Sequence, residues 1–173
     1  MTASGNIVTA TSGQSAGKWA GFALFLLALV AVLVWAGTQR AVESARPADL
    51  AYLNSHKGKP GVKSTASGLQ YEVVTEGTGP TPTAADTVAV HYEGKLLDGT
   101  VFDSSIARGQ PAVFPLGSVI PGWTEGVQLM KVGSVYNFTI PPELGYGARG
   151  AGGVIPPNAV LAFRIELLGI QGR

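Results

Sequence analysis

Leu161-Ala-Phe-Arg-Ile-Glu-Leu-Leu168 is the stretch on which the fold turns. Leu161, Phe163, Ile165 and Leu167 occupy alternate positions, with Arg164 and Glu166 between them. Successive side chains of a strand point to opposite faces, so this spacing lays an apolar row on a core and a polar row towards water. The same period of two recurs at Leu69, Tyr71 and Val73, at Val88, Val90 and Tyr92, and at Tyr136, Phe138 and Ile140. Phe114 and Leu116 supply a shorter piece. Turn formers separate these runs: Asp98-Gly99, Gly117, Gly133, Pro141-Pro142 and Pro156-Pro157. Only residues 122–130 read as a helix in this half, because Pro121 pre-sets the first turn and Trp123, Val127 and Met130 share one side. An apolar sheet face needs a cover. The expected class is α+β: a curved antiparallel sheet of about five strands, wet on one face, wrapped against one short helix.

Towards the N-terminus the composition changes. No side chain in residues 19–37 is charged or strongly polar. As a helix, residues 19–36 would span about 27 Å, close to the hydrocarbon thickness of a bilayer. Trp19 and Trp35 would then stand near the two headgroup levels. The expectation is one transmembrane helix at 19–37 behind a tail of residues 1–18. A secretory signal cleaved after Val34-Trp35-Ala36 competes with it, although such signals carry a shorter apolar stretch of about 7–15 residues. Lys18 on one side, and Arg40 and Arg46 beside Glu43 and Asp49 on the other, fix no orientation and by simple count lean slightly against an exported C-terminus, so export is expected only from the resemblance given below. Residues 38–67 read as a basic linker with a short helical stretch at 48–53, ended by Asn54 and Gly58. Residues 57–61 and 64–68 read as flexible spacer.

Residues 1–67 carry six Lys/Arg against two acids, and residues 68–173 carry six against nine. An acidic globular half lacks the clustered basic face that grips nucleic acid. Without cysteine there is no disulfide, no thiolate nucleophile and no Cys-bound metal. Gly145-x-Gly147-x-x-Gly150 matches a dinucleotide fingerprint, yet Ala-Gly-Gly-Val-Ile-Pro-Pro follows it and cannot open a helix. His56 and His91 have no ligand-spaced company, and no Ser/His/Asp arrangement or carboxylate pair is legible. No cofactor and no metal is called for.

What stands out is aromatic: Tyr92, Phe102, Phe114, Trp123, Tyr136, Phe138, Tyr146 and Phe163. Core filling accounts for Phe114, Tyr136 and Phe138. For Tyr92, Phe102, Trp123 and Tyr146 a pocket competes with it, because Tyr and Trp polar atoms need partners that a dry core must supply and a pocket mouth can use.

Laid out in order, the motifs resemble the FKBP-type peptidyl-prolyl isomerases across nearly all of residues 68–172. They are Val90-His-Tyr-Glu-Gly94, Gly99-Thr-Val-Phe-Asp-Ser-Ser105, Val119-Ile-Pro-Gly-Trp-Thr-Glu-Gly-Val127, Ile140-Pro-Pro-Glu-Leu-Gly-Tyr-Gly147, Gly153-Val-Ile-Pro-Pro-Asn158 and Leu161 to Leu168. Lys59-Pro-Gly-Val and Ser67-Gly-Leu-Gln-Tyr71 resemble the bacterial exported branch related to the macrophage infectivity potentiators, which carry long dimerising helices where this chain has the 48–53 segment. The resemblance implies a domain over 68–173 with Tyr92, Phe102, Asp103 and Tyr146 as catalytic positions. It implies Trp123 as pocket floor and Val119, Ile120, Phe163, Phe114, Arg108, Val154 and Ile155 as further substrate contacts. Tyr146 and the Ile120 N–H would bond substrate carbonyls, and Arg108 would hold Asp103. Two departures open the rim: Ala112 stands where the family often has an aromatic, and two residues are missing between Gly117 and Val119.

The implied partners are proline-containing polypeptides and the membrane through 19–37, with no nucleic acid. Macrolides of the tacrolimus or rapamycin type are implied as ligands, weakened by the open rim. The expected place is the bacterial inner membrane, single-pass, with the domain in the periplasm; the alternative is cleavage and release into the periplasm. The expected function is acceleration of X–Pro rotation in exported or membrane proteins. A proline-peptide-binding chaperone module with little turnover is the other reading.

Overall fold

The computed structural model describes residues 47–172. Residues 47–57 are helical (α1). Seven strands follow: β1 (Val62–Ser64), β2 (Gln70–Thr75), β3 (Thr87–Leu96), β4 (Val101–Ser104), β5 (Ala112–Pro115), β6 (Val135–Ile140) and β7 (Leu161–Ile170). The helix α2 (Pro121–Val127) lies between β5 and β6. All pairings are antiparallel, along the path β1-β2-β6-β7-β3-β4. β5 pairs with the first half of β3 and β4 with the second half. The α+β expectation holds, with seven strands in place of about five and two helices in place of one.

Register shows which side chains share a face, since directly paired residues point the same way. One row runs Tyr71, Phe138, Phe163, Gly94, Asp103; the next runs Gln70, Thr139, Ala162, Lys95, Val101. The first row faces α2, whose Trp123 and Val127 are buried with Met130 just beyond its end, as the helical spacing predicts. Leu69, Val88, Val90, Leu116, Ile165 and Leu167 complete a core with no solvent exposure. The period at Leu69, Tyr71 and Val73 runs out at a bulge between Val73 and Thr75, which leaves Val73 and Val74 exposed.

The second row corrects the expectation of a wholly wet face. Gln70 and Thr139 are only 4% and 5% exposed, because α1 lies over that end of the sheet. The Gln70 amide donates to the Leu53 carbonyl (2.9 Å), and Gln70 Oε1 meets His56 Nδ1 (2.9 Å). With the amide nitrogen engaged as donor, the carbonyl oxygen is an acceptor, so Nδ1 carries the proton. The Val160 N–H donates to Asp49 (3.1 Å), tying α1 to the entrance of β7. The helix is longer than the two turns expected at 48–53. Residues 62–64, inside the stretch read as linker and next to both spacers, form β1 on β2.

Among the described residues no helix is long and apolar enough to cross a membrane. The apolar segment 19–37 lies outside the described residues.

Candidate functional site

The aromatic residues of α2, β3, β4, β5 and β7 meet at one cavity of about 420 Å³, a size suited to a small ligand or a few residues of a peptide. Trp123 lines it, buried and nearly perpendicular to three rings: Tyr92 at 5.1 Å, Phe163 at 5.4 Å and Phe114 at 5.5 Å. Phe102 extends the wall by an edge contact to Phe163 at 5.5 Å. Edge-to-face pairs add about 0.5–1.5 kcal/mol each beyond area burial, so the rings hold one another in place before any ligand arrives. The Trp123 indole N–H is buried without a hydrogen-bond acceptor among the described residues.

The polar rim is built on Tyr92. β5 leaves β3 at Val90 and β4 joins it at Glu93, so the edge of β3 is uncovered at Tyr92. Ser105, fully buried, fills that gap: its hydroxyl accepts the Tyr92 N–H (2.8 Å) and its own N–H donates to the Tyr92 carbonyl (3.0 Å). His91 Nδ1 meets the same hydroxyl at 3.2 Å. The Tyr92 hydroxyl donates to Asp103 and accepts from Arg108 (3.0 Å), and Arg108 also bonds the other Asp103 oxygen.

Electrostatics follow from this triad. Burial lifts the Tyr92 phenol above its ordinary pKa, and the hydrogen bond to Asp103 adds to the lift. Burial also pushes the Asp103 carboxyl upwards, but the bonds from Tyr92 and Arg108 together outweigh it and hold the carboxyl below its usual range. Around neutrality the group is a carboxylate clamped by a phenol and a guanidinium. It has no spare proton to give and little basicity to use.

The turn after Leu116 brings Ser118, Val119 and Ile120 to the cavity. Thr124 of α2 ties that turn down by donating its hydroxyl to the Leu116 carbonyl (2.7 Å) and its N–H to the Ile120 carbonyl (3.1 Å). Among the described residues neither the Ile120 N–H nor the Tyr146 hydroxyl has a hydrogen-bond acceptor. Both belong to residues that line the cavity, and Tyr146 is 39% exposed.

Of the residues expected here, Tyr92, Phe102, Asp103, Phe114, Val119, Ile120, Trp123, Tyr146 and Phe163 line the cavity together. Arg108 is not part of the lining; it bonds Asp103 and the Tyr92 hydroxyl, both on residues that are. Val154 and Ile155 do not line it. Val154 is half exposed on a loop tip, and Ile155 is buried in the core, bonded through its backbone to Ala151. Ser118 lines the cavity and was not expected; it directly precedes Val119-Ile120, the only sequence signal that marks it. Ala112 pairs with Val90 in β5 and contributes nothing to the lining.

Residues 79–168 match the model of the FKBP-type peptidyl-prolyl cis-trans isomerases, and residues 32–73 match that of the domain amino-terminal to such isomerases. The FKBP-type isomerase FkpA of Aeromonas hydrophila is 62% identical over 120 residues, covering 69% of this chain and 44% of that protein. The outer membrane protein MIP of Legionella longbeachae is 49% identical over 121 residues, covering 70% of this chain and 52% of that protein. This chain thus spans about half the length of these relatives. A crystal structure of a peptidyl-prolyl cis-trans isomerase from Pseudomonas syringae superposes with a TM-score of 0.71 at 43% identity, covering 75% of this chain and 95% of that one.

Proposed function

Since the chain belongs to the FKBP-type peptidyl-prolyl cis-trans isomerase family, we propose that it accelerates rotation about X–Pro amide bonds in polypeptides, with the Trp123 cavity as its active site. The observation that carries this is the pairing of an aromatic cavity with two uncommitted donors, the Ile120 N–H and the Tyr146 hydroxyl.

An amide resists rotation by about 18–20 kcal/mol because resonance gives its C–N bond double-bond character. Uncatalysed X–Pro exchange takes tens to hundreds of seconds. The twisted amide has lost that resonance and with it much of its charge separation, so an apolar cavity suits it better than water does. The proline ring packs over Trp123 between Tyr92, Phe102 and Phe163. Tyr146 and Ile120 hold the flanking carbonyls and fix the peptide half-turned. A ~10⁴–10⁵-fold acceleration needs about 5–7 kcal/mol taken from the barrier. No covalent bond forms and no proton moves. The clamped Asp103 carboxylate acts on the substrate carbonyl through its field and keeps Tyr92 in place.

The apolar walls favour Leu or Phe over charged residues before proline. Macrolides of the tacrolimus type fit the same cavity weakly, because Ala112 supplies no ring at the rim and the polar Ser118 is among the lining residues. We take the isomerase chemistry to reside in residues 68–173. Residues 19–37 would serve as a membrane anchor or export signal that places this domain in the periplasm, supported by their length and flanking tryptophans.

The test is a cis-to-trans assay on the full chain, with peptides carrying Leu or Glu before proline, beside Tyr146→Phe. Fast exchange preferring Leu, and reduced about tenfold by loss of one hydrogen bond in the rotated state, is expected. Exchange no faster than the free peptide, from a folded protein that still binds proline peptides, would leave a binding module instead.

A further inference from the structure

We infer that Gly94 is a positioning residue of the active site: its missing side chain is the space in which Phe102 and Phe163 meet to form one wall of the cavity. This inference rests on the isomerase reading above. Gly94 lies in β3 two residues beyond Tyr92, on the same face, with Phe163 of β7 and Asp103 of β4 as its direct cross-strand neighbours. A Cβ there would lie 2.6 Å from Phe163 Cε1 and 2.7 Å from both Cε2 and Cζ of Phe102. Carbon atoms in contact stand about 3.5–4.0 Å apart, so a methyl group and the two rings cannot share this space.

The backbone does not account for the glycine. Its φ lies outside the left-handed region, unlike that of Gly99 in the adjoining turn at 90°. A glycine inside a strand weakens it and marks a close approach of something else. Here two rings make the approach.

They would not yield equally. Phe163 is buried and braced by Trp123 at 5.4 Å and Tyr92 at 6.4 Å. Phe102 is half-buried and has Phe163 as its one ring contact among the described residues. A methyl at position 94 therefore displaces Phe102 and leaves the Trp123 floor as it is. The effect appears where the substrate touches the wall.

The experiment compares kcat/KM on a Leu-Pro peptide for the full chain, Gly94→Ala, Phe102→Leu and the double variant. Gly94→Ala is expected to lower kcat/KM about tenfold, as misplacement of a substrate-positioning group by about an ångström does. In the Phe102→Leu background the same change should cost less than twofold, since the shorter side chain vacates the contested space. A Gly94→Ala protein within twofold of wild type would overturn the inference. So would an equal loss in both backgrounds, or a double variant that does not fold, because Phe102 would then not be what the methyl displaces. Absence of activity in the wild type would sink the isomerase reading instead. The packing would still be read by nuclear Overhauser contacts from Gly94 Hα to both rings, with those to Phe102 lost in Gly94→Ala.

Discussion

Replacing Gln70 with leucine tests whether α1 is an integral layer of the fold. Gln70 is 4% exposed and holds α1 by two buried bonds of 2.9 Å, its amide to the Leu53 carbonyl and its Oε1 to the His56 ring. Leucine fills nearly the same volume, so no large cavity term enters. Two hydrogen bonds are lost at about 1 kcal/mol each, and the buried imidazole N–H of His56 is left without its acceptor at a further 1–3 kcal/mol. The expected loss is about 3–5 kcal/mol. For a folded body of this size that corresponds to a fall in Tm of roughly 12–20 °C. Urea unfolding of the full chain in mild detergent measures it, with the m-value checking that the transition keeps its cooperativity. Gln70 and Phe163 belong to adjacent rows on opposite faces of the sheet, so kcat/KM at 15 °C should stay within twofold of wild type. A stability loss below about 0.5 kcal/mol would refute the reasoning, since α1 would then not be held by these buried bonds.

Two further outcomes follow from the titrating groups. Asp103→Asn removes the hydrogen-bonded carboxylate that helps lift the Tyr92 phenol, so ultraviolet titration should find that phenol ionising at lower pH; an unchanged titration would detach Tyr92 from Asp103. In the wild type the depressed Asp103 carboxyl contributes stability that is complete above the unfolded value of about 4 and is lost as pH falls through the folded value, so activity should be flat across neutrality and decline only in acid. Tyr136 behaves in the opposite sense: burial, and then its bond to Glu76, push the phenol up to about 12. Its contribution is complete below the unfolded value of about 10 and is lost as pH rises towards 12. Tyr136→Phe should flatten the alkaline limb of the stability profile, and an unaltered limb would count against this account.

Much of this protein was legible in residue order alone. A period of two marks an apolar row whatever covers it, which is why β3, β6, β7 and the buried side of α2 could be read locally. The cavity residues were legible because they come in short motifs whose order matches a family. The second layer was not. Gln70 and Thr139 sit at alternate positions and are polar, so they read as wet. Only contacts spanning 17 residues (Gln70 to Leu53) and 111 residues (Val160 to Asp49) show that α1 covers them. Local pattern records how much water a side chain tolerates, but what replaces that water depends on which distant segment arrives. The same holds at the site. Nothing near Ser105 signals that it completes the edge of β3 where β5 stops and β4 begins, nor that Val154 is left exposed and Ile155 buried in the core, both outside the cavity lining. The space above Gly94 exists only because strand register sets Phe163 and Asp103 beside it and brings Phe102 alongside. Hydrophobic periodicity is a property of one segment and survives in the sequence; register, layer and ring packing are relations between segments, set when the chain closes on itself.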